Sequence, residues 1–185
     1  MPRAGLSREV VVAAACRMVD QEGPHSLSVT ALAGQLGVRP PSLYNHVDGV
    51  EGLERLVALA GVDLLAEGFR AAVMGRTGKD ALRALAVASR RLALENPGVY
   101  ALAQVARPGD HEYELKAARA LEPVLAVLAT YRLEGDEAIH ATRILRSALH
   151  GFALLETQGG FGLGVDPGET FERLIETLDR GLSKG

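Results

Sequence analysis

Tryptophan is absent from this 185-residue chain, cysteine occurs once, and aromatic residues make up only 4% of it. A lone cysteine, Cys16, excludes an internal disulfide. With alanines beside it and no second thiol to resolve an oxidised sulfur, Cys16 reads as a packed, inert side chain. No apolar stretch approaches the roughly 20 residues that cross a bilayer, because charged residues or glycines interrupt every run. The opening MPRAGLSREV lacks the apolar segment of a secretory signal, so the cytoplasm is the expected compartment. A strong positive charge is missing too. The net charge is −3, and residues 1–46 hold Arg3, Arg8, Arg17 and Arg39 against Glu9, Asp20 and Glu22, a balance of +1. A nucleic-acid contact built on that segment is expected to use few ion contacts per copy and to have a modest salt dependence. Runs of β-branched residues are few, whereas Ala and Leu are abundant and 48% of the chain is hydrophobic. That combination predicts an all-α protein, about nine helices packed on one another.

The most informative stretch is residues 27–46, LSVTALAGQLGVRPPSLYNH. Ser28 suits a helix N-cap, Leu32, Ala33 and Leu36 give that helix an apolar side, and Gly37 supplies a left-handed stop. Val38 fits the angle between two helices. Arg39-Pro40-Pro41 then restarts the chain with prolines where missing N–H groups cost nothing, and Ser42, Leu43, Tyr44, Asn45 and His46 follow. Before it, Ser7 to Glu22 has Val11, Ala14, Ala15, Met18 and Val19 at helical spacing, ended by Gly23-Pro24. Three short helices with a tight turn between the second and third are how a protein presents one helix to a DNA major groove.

Beyond the head, Asp48-Gly49-Val50-Glu51 has capping-box spacing and predicts a long fourth helix with Val50, Leu53, Val57, Gly61, Leu64 and Leu65 inward. Residues 74–79 read as a linker, 80–95 as the fifth helix, and Asn96-Pro97 as the start of a short sixth. Asp110 is expected to cap a seventh helix reaching Tyr131, bent near residues 119–122 by Pro123. The eighth helix, 136–158, is apolar on two sides. Ile144, Ala148, Gly151 and Leu155 form one stripe, and Leu145, Leu149 and Phe152 another. Asp166-Pro167-Gly168-Glu169 opens a ninth helix with Phe171, Leu174, Ile175 and Leu178 on one face. A helix that is apolar on two sides, followed by an amphipathic one, suits a dimer interface. The expected interface residues are Ile144, Ala148, Gly151, Leu155, Phe171, Leu174, Ile175 and Leu178.

LAGQLGVRPPSLYNHV, residues 32–47, resembles the helix-turn-helix of the tetracycline-repressor (TetR) family of transcription regulators, with its LGV turn and LY-x-H recognition helix. SALHGFALLETQGGFG, residues 147–162, is similar to the branch of that family carrying an HG segment in helix eight. The resemblance implies a DNA-binding domain over 1–48 and an effector-binding and dimerisation domain over 49–185. It places base reading on Arg39, Pro40, Ser42 and Asn45, and phosphate contacts on Tyr44 and His46, with Thr30 reaching a phosphate or a base edge. The chemistry agrees: Arg39 suits guanine, Asn45 adenine and Pro40 a thymine methyl. Val50 departs from the pattern, since many relatives carry a phosphate-gripping lysine there, which throws weight on an arm with Arg3 and Arg8.

The function so implied is a homodimeric repressor on a palindromic double-stranded DNA operator, released by a small apolar or aromatic effector. Tyr100, Gln104, Tyr113 and His150, set among Phe69, Leu125 and Phe152, are the candidate effector contacts. No cofactor and no metal is expected, and no catalytic residue: His111 with Glu112 and Glu114, and His140 with Asp136 and Glu137, lack metal-ligand spacing. GGFGLG, residues 159–164, reads as a connector rather than a phosphate cradle. Two rival readings stand beside this one, a dimeric helical small-molecule binder without DNA binding and, behind it, an enzyme.

Overall fold

The computed structural model describes residues 6–183, and among the described residues there are nine α-helices and no strand. Contacts divide the chain into two compact units, Met1–Val62 with Asn96–Glu114, and Asp63–Glu95 with Leu115–Gly185. Compactness therefore divides the chain elsewhere than at the functional boundary expected after residue 48. Among the described residues no helix is long and apolar enough to cross a membrane.

The first unit begins with α1 (Arg8–Glu22), whose N-terminus is capped by the Ser7 hydroxyl accepting from the Val10 N–H. Val11, Ala14, Ala15, Met18 and Val19 are its buried face, as their spacing predicts. Cys16 is only partly buried, and that burial pushes its thiol up to about 11, so it stays protonated near neutrality. A 3₁₀ turn (Pro24–Ser26) leads to α2 (Val29–Leu36), α3 (Pro40–Leu43) and α4 (Gly49–Val73). Leu53 and Val57 of α4 are fully buried, but Val50, expected on the same stripe, is 41% exposed. It sits in the first turn of α4, one turn short of the core.

Later in the chain, α6 (Pro97–Ala103) and the start of α7 (His111–Ala129) complete this unit. The sequence suggests Asn96 as the cap of α6, yet its side chain makes no capping bond. The cap is Asp20 of α1, whose Oδ1 accepts from the N–H groups of Gly98 and Val99 at 2.9 Å each. Burial raises the Asp20 carboxyl above its ordinary pKa, against the pull of those two bonds. The helices meet backbone to backbone: a Cβ on Gly98 would lie 2.0 Å from the Val19 carbonyl oxygen. Gly61 of α4 plays a similar part, since its Cβ would lie 2.8 Å from that of Ala103. Close packing accounts for that glycine.

Arg55 of α4 clamps the start of α7. Its Nε and Nη2 donate to the two carboxylate oxygens of Asp110 at 2.6 and 2.8 Å, and Nη2 also reaches Glu112 at 2.9 Å. Asp110 Oδ1 accepts from the Tyr113 N–H as well, capping α7 as expected. The guanidinium holds the Asp110 carboxyl below the usual carboxylate range. α7 runs on through Pro123 to Ala129.

The second unit contains the rest of α4 and α7 together with α5 (Gly78–Glu95), α8 (Gly135–Thr157) and α9 (Pro167–Leu182). Leu82, Leu85, Leu128, Leu145, Phe171 and Ile175 form its core. Burying each large side chain contributes about 1.5–3 kcal/mol relative to exposure. Asp166 caps α9 through the N–H groups of Gly168 and Glu169, with Pro167 at the first position as expected. Arg90 of α5 ties α8 and α9 to the core edge. It is bidentate to Glu156, and its guanidinium lies 4.9 Å from the Phe171 ring and 5.7 Å from that of Phe152.

Because the atom opposing a Gly98 side chain is backbone, the helices must separate to admit even a methyl. Gly98→Ala is expected to lower stability by about 3 kcal/mol or more. Gly181→Ala, whose methyl meets open space on α9, is expected to match the parent or exceed it by up to about 1 kcal/mol. Urea unfolding midpoints of the two variants measure the contrast.

Candidate nucleic-acid interface

The turn between α2 and α3 is built as its residues dictate. Ser28 caps α2 by accepting from the Ala31 N–H. Gly37 takes φ 65° and ψ 29°, a left-handed conformation that a side chain disfavours, and Val38 N–H closes the turn on the Ala33 carbonyl at 3.0 Å. Arg39, held extended by the following proline, starts α3, which makes a single turn before Tyr44, Asn45 and His46. Leu43 is fully buried and Val47 nearly so, both anchored below the segment. The Leu43 carbonyl accepts from the N–H groups of His46 and Val47 at 2.8 and 3.0 Å, folding the chain back after the tip.

This anchoring turns the predicted contact residues outward. Thr30, Arg39, Tyr44 and Asn45 are exposed, Tyr44 at 59%, while Pro40, Ser42 and His46 are half-buried. All seven sit on α2, on α3, at Arg39 which caps it, or in the three residues that follow it. Arg8, Arg17 and Arg39 make no ion pair among the described residues, in contrast to Arg55, so their charge remains available to a polyanion. Arg3 lies outside the described residues.

The chain's C-terminal portion, residues 82–178, matches the family model of the tetracyclin repressor-like C-terminal domain. Over 183 residues the chain is 39% identical to an uncharacterized HTH-type transcriptional regulator of Mycobacterium tuberculosis, Rv0681, covering 98% of this chain and 84% of that one. The chain belongs to the TetR family. It is a transcriptional regulator of the TetR type, with a helix-turn-helix head and a helical C-terminal domain. Its fold is similar to that of a protein of unknown function from Rhodococcus sp. RHA1, at TM-score 0.82 and 22% identity over 99% of both chains. It is also similar to ActR of Streptomyces coelicolor, solved in complex with (S)-DNPA, at TM-score 0.71 and 20% identity over 97% of this chain and 98% of that one.

In this TetR-family chain the candidate effector residues fall into two groups. Tyr100, Gln104 and Tyr113 belong to the first unit; Phe69, Leu125, His150 and Phe152 belong to the second. Tyr100 and Tyr113 are buried, and the Tyr113 hydroxyl donates to the Ala103 carbonyl at 2.8 Å, so its polar end serves the fold. The Phe152 ring packs in the core, 4.8 Å from Phe161 and 5.0 Å from Phe171 between centroids. Phe69 packs half-buried on the same core, and Leu125 is exposed. His150 is half-buried, and burial lowers its pKa, helped by the charge of Arg146. A pocket of about 210 Å³ in the second unit is lined by Gly160, Phe161, Gly162, Leu163, Val165, Pro167 and Thr170, none of them a candidate effector contact.

The expected dimer residues also divide. Ile144 and Leu155 are 58% and 48% exposed, with Ala148 and Gly151 half-buried between them. Phe171 and Ile175, in contrast, are 1% exposed and Leu178 is buried, while Leu174 is half-buried against the core. The Phe171, Ile175 and Leu178 face of α9 is thus buried in this chain's own core. Of the carboxylates beside His111, Glu112 pairs with Arg55 and Glu114 accepts from the Gly109 N–H. Asp20 and Arg55 went unnoticed in the sequence because their partners lie 78 and 55 positions away.

The division between anchor and tip has a direct consequence. Leu43→Ala should cost about 2–5 kcal/mol of stability by opening a cavity, whereas Arg39→Ala and Asn45→Ala should stay within about 0.5 kcal/mol of the parent. Chemical denaturation of the three variants checks this.

Proposed function

We propose that this regulator is a homodimeric repressor whose two heads read a palindromic operator and which a small apolar or aromatic effector releases. The observation that carries the reading is the α3 tip, where Arg39, Tyr44 and Asn45 stand exposed over the buried Leu43. In this reading Arg39 donates to a guanine edge, Asn45 pairs with adenine, Ser42 donates or accepts, and Pro40 touches a thymine methyl. Tyr44, His46 and Thr30 hold the backbone and fix the register. The first domain is then the head, residues 1–48, and the remainder carries dimerisation and the effector.

Dimerisation is supported by α8. Its stripe of Ile144, Ala148, Gly151 and Leu155, exposed at Ile144 and Leu155, lies about a quarter-turn from the core residues Leu145, Leu149 and Phe152, and a Cβ at Gly151 would meet open space. The chain's own packing does not require a small residue there, whereas a second α8 crossing close by does. Phe171, Leu174, Ile175 and Leu178 support that face from behind. For the effector, the support is the family and a structural neighbour solved with a small molecule. Tyr100, Gln104, Tyr113, Phe69, Leu125, His150 and Phe152 remain its candidate contacts or their backing. To release DNA, the effector must bind better to the conformer whose heads no longer match the half-sites. A coupling of about 1–3 kcal/mol changes operator affinity some 5- to 150-fold. The lever is α4, which continues from the first compact unit into the second.

Fluorescence anisotropy with DNA from beside the protein's own gene, at two salt concentrations, tests the DNA reading. Saturable binding that weakens with salt and drops about tenfold or more per half-site in Arg39→Ala is expected. Binding without sequence preference even at low salt would show a dimeric scaffold instead of a repressor. For assembly, sedimentation equilibrium should give a dimer for the parent and a monomer for Ile144→Asp with Leu155→Asp. A monomeric parent at micromolar concentration overturns the homodimer.

A further inference from the structure

The connector between α8 and α9 encloses the pocket of about 210 Å³ in the second unit. Phe161, Leu163, Val165 and Pro167 give it an apolar lining, and Gly160 and Gly162 leave bare backbone between them. Solvent reaches it freely, because Leu163 is 85% exposed and Val165 64%. Apolar side chains held in water beside a hollow lose that exposure when a guest enters. The opposite walls are fixed. The Phe161 ring lies 4.8 Å from that of Phe152, which packs on Phe171 in the core. Pro167 and Thr170 stand at the start of α9, which Asp166 caps through two N–H groups. Walls set before the guest arrives reduce the ordering that binding costs.

Size and polarity narrow the guest. The volume exceeds the roughly 150 Å³ that admits benzene and falls short of the about 300–1,000 Å³ of a drug-sized site. One ring with a small substituent, or a fused pair, fits. Among the described residues no charged side chain lines the pocket, so an ionic group entering it would shed water without gaining a partner. The carboxylate of Asp166, between the lining residues Val165 and Pro167, is spent on the α9 N–H groups. Thr170 supplies the one polar side chain of the lining. Its hydroxyl donates to the Asp166 carbonyl at 3.4 Å, which leaves the oxygen to accept from a ligand.

We propose that this pocket binds a small neutral aromatic compound carrying one N–H or O–H donor, of the indole and alkylphenol class. The ring lies between Phe161 and the rim residues Leu163 and Val165, and its donor meets Thr170. The inference goes beyond the proposed function, whose candidate effector contacts lie elsewhere, and it requires neither DNA binding nor a dimer.

The chain has no tryptophan, so the fluorescence anisotropy of indole itself, titrated with the full chain, reads binding without a tryptophan background. Indole is expected to bind saturably and to be displaced by 4-methylphenol. 1-Methylindole, which has no donor, should bind about threefold or more weakly, and indole-3-carboxylate about tenfold or more weakly. Thr170→Val keeps the shape and removes the acceptor, so indole should fall to the level of 1-methylindole while 1-methylindole is unchanged. Leu163→Asp, at an exposed position and with its unfolding midpoint unchanged, should weaken both about tenfold or more. The proposal is overturned if indole does not saturate, if either comparison compound binds as tightly as indole, or if either variant binds indole as the parent does. A parent that ignores indole, but whose dimer Leu163→Asp dissociates, shows a second copy covering the pocket and overturns the proposal as well. Operator binding is read separately, so indole binding in a chain without sequence-preferring DNA binding would remove the repressor and leave this site standing.

Discussion

The contact on which the first compact unit depends is the seating of α6 on α1, where backbone meets backbone at Gly98 and one carboxylate bridges the gap. Two peptide N–H groups at the start of α6 would otherwise be buried without acceptors, and Asp20 supplies both bonds from a different helix. Once α6 is fixed in this way, Ala103 is in place for Gly61 of α4 to approach it, so three small residues determine how closely three helices pack. This explains why residues 96–114 belong with the first 62 although 33 residues separate them.

The contact tip has a different physical basis. α3 is a single turn, too short to be stable through its own hydrogen bonds. Its position comes from the left-handed Gly37, the two prolines and the buried Leu43. These are local devices, so the tip was legible in the sequence: cap, stop, restart and anchor lie within 20 residues. The same holds for the caps Ser7 and Asp166 and for the buried face of α1.

Less legible were the pairings between distant residues and the choice of which apolar face meets which neighbour. Periodicity marks a helix as apolar on one side without saying what covers that side. Phe171 and Ile175 were rightly read as one face of α9, but their place in their own core depends on α5 and α8 arriving beside them. Phe152 likewise has its neighbours Phe161, Phe171 and Arg90 brought to it from other elements, which its place in α8 does not reveal. Asn96 matched the local signature of a cap and yielded to an acid 76 positions earlier in the chain, because α1 places a full negative charge where an amide offers only a partial one.

Asp110 gives one oxygen two duties. Its Oδ1 accepts both from Arg55 and from the Tyr113 amide, so the first turn of α7 and the grip on α4 share a single atom. Two separate anchors would fray one after the other, each with its own opening free energy. A shared anchor fuses them into one cooperative element, in which amide exchange at the start of α7 reports on whether α4 is still held.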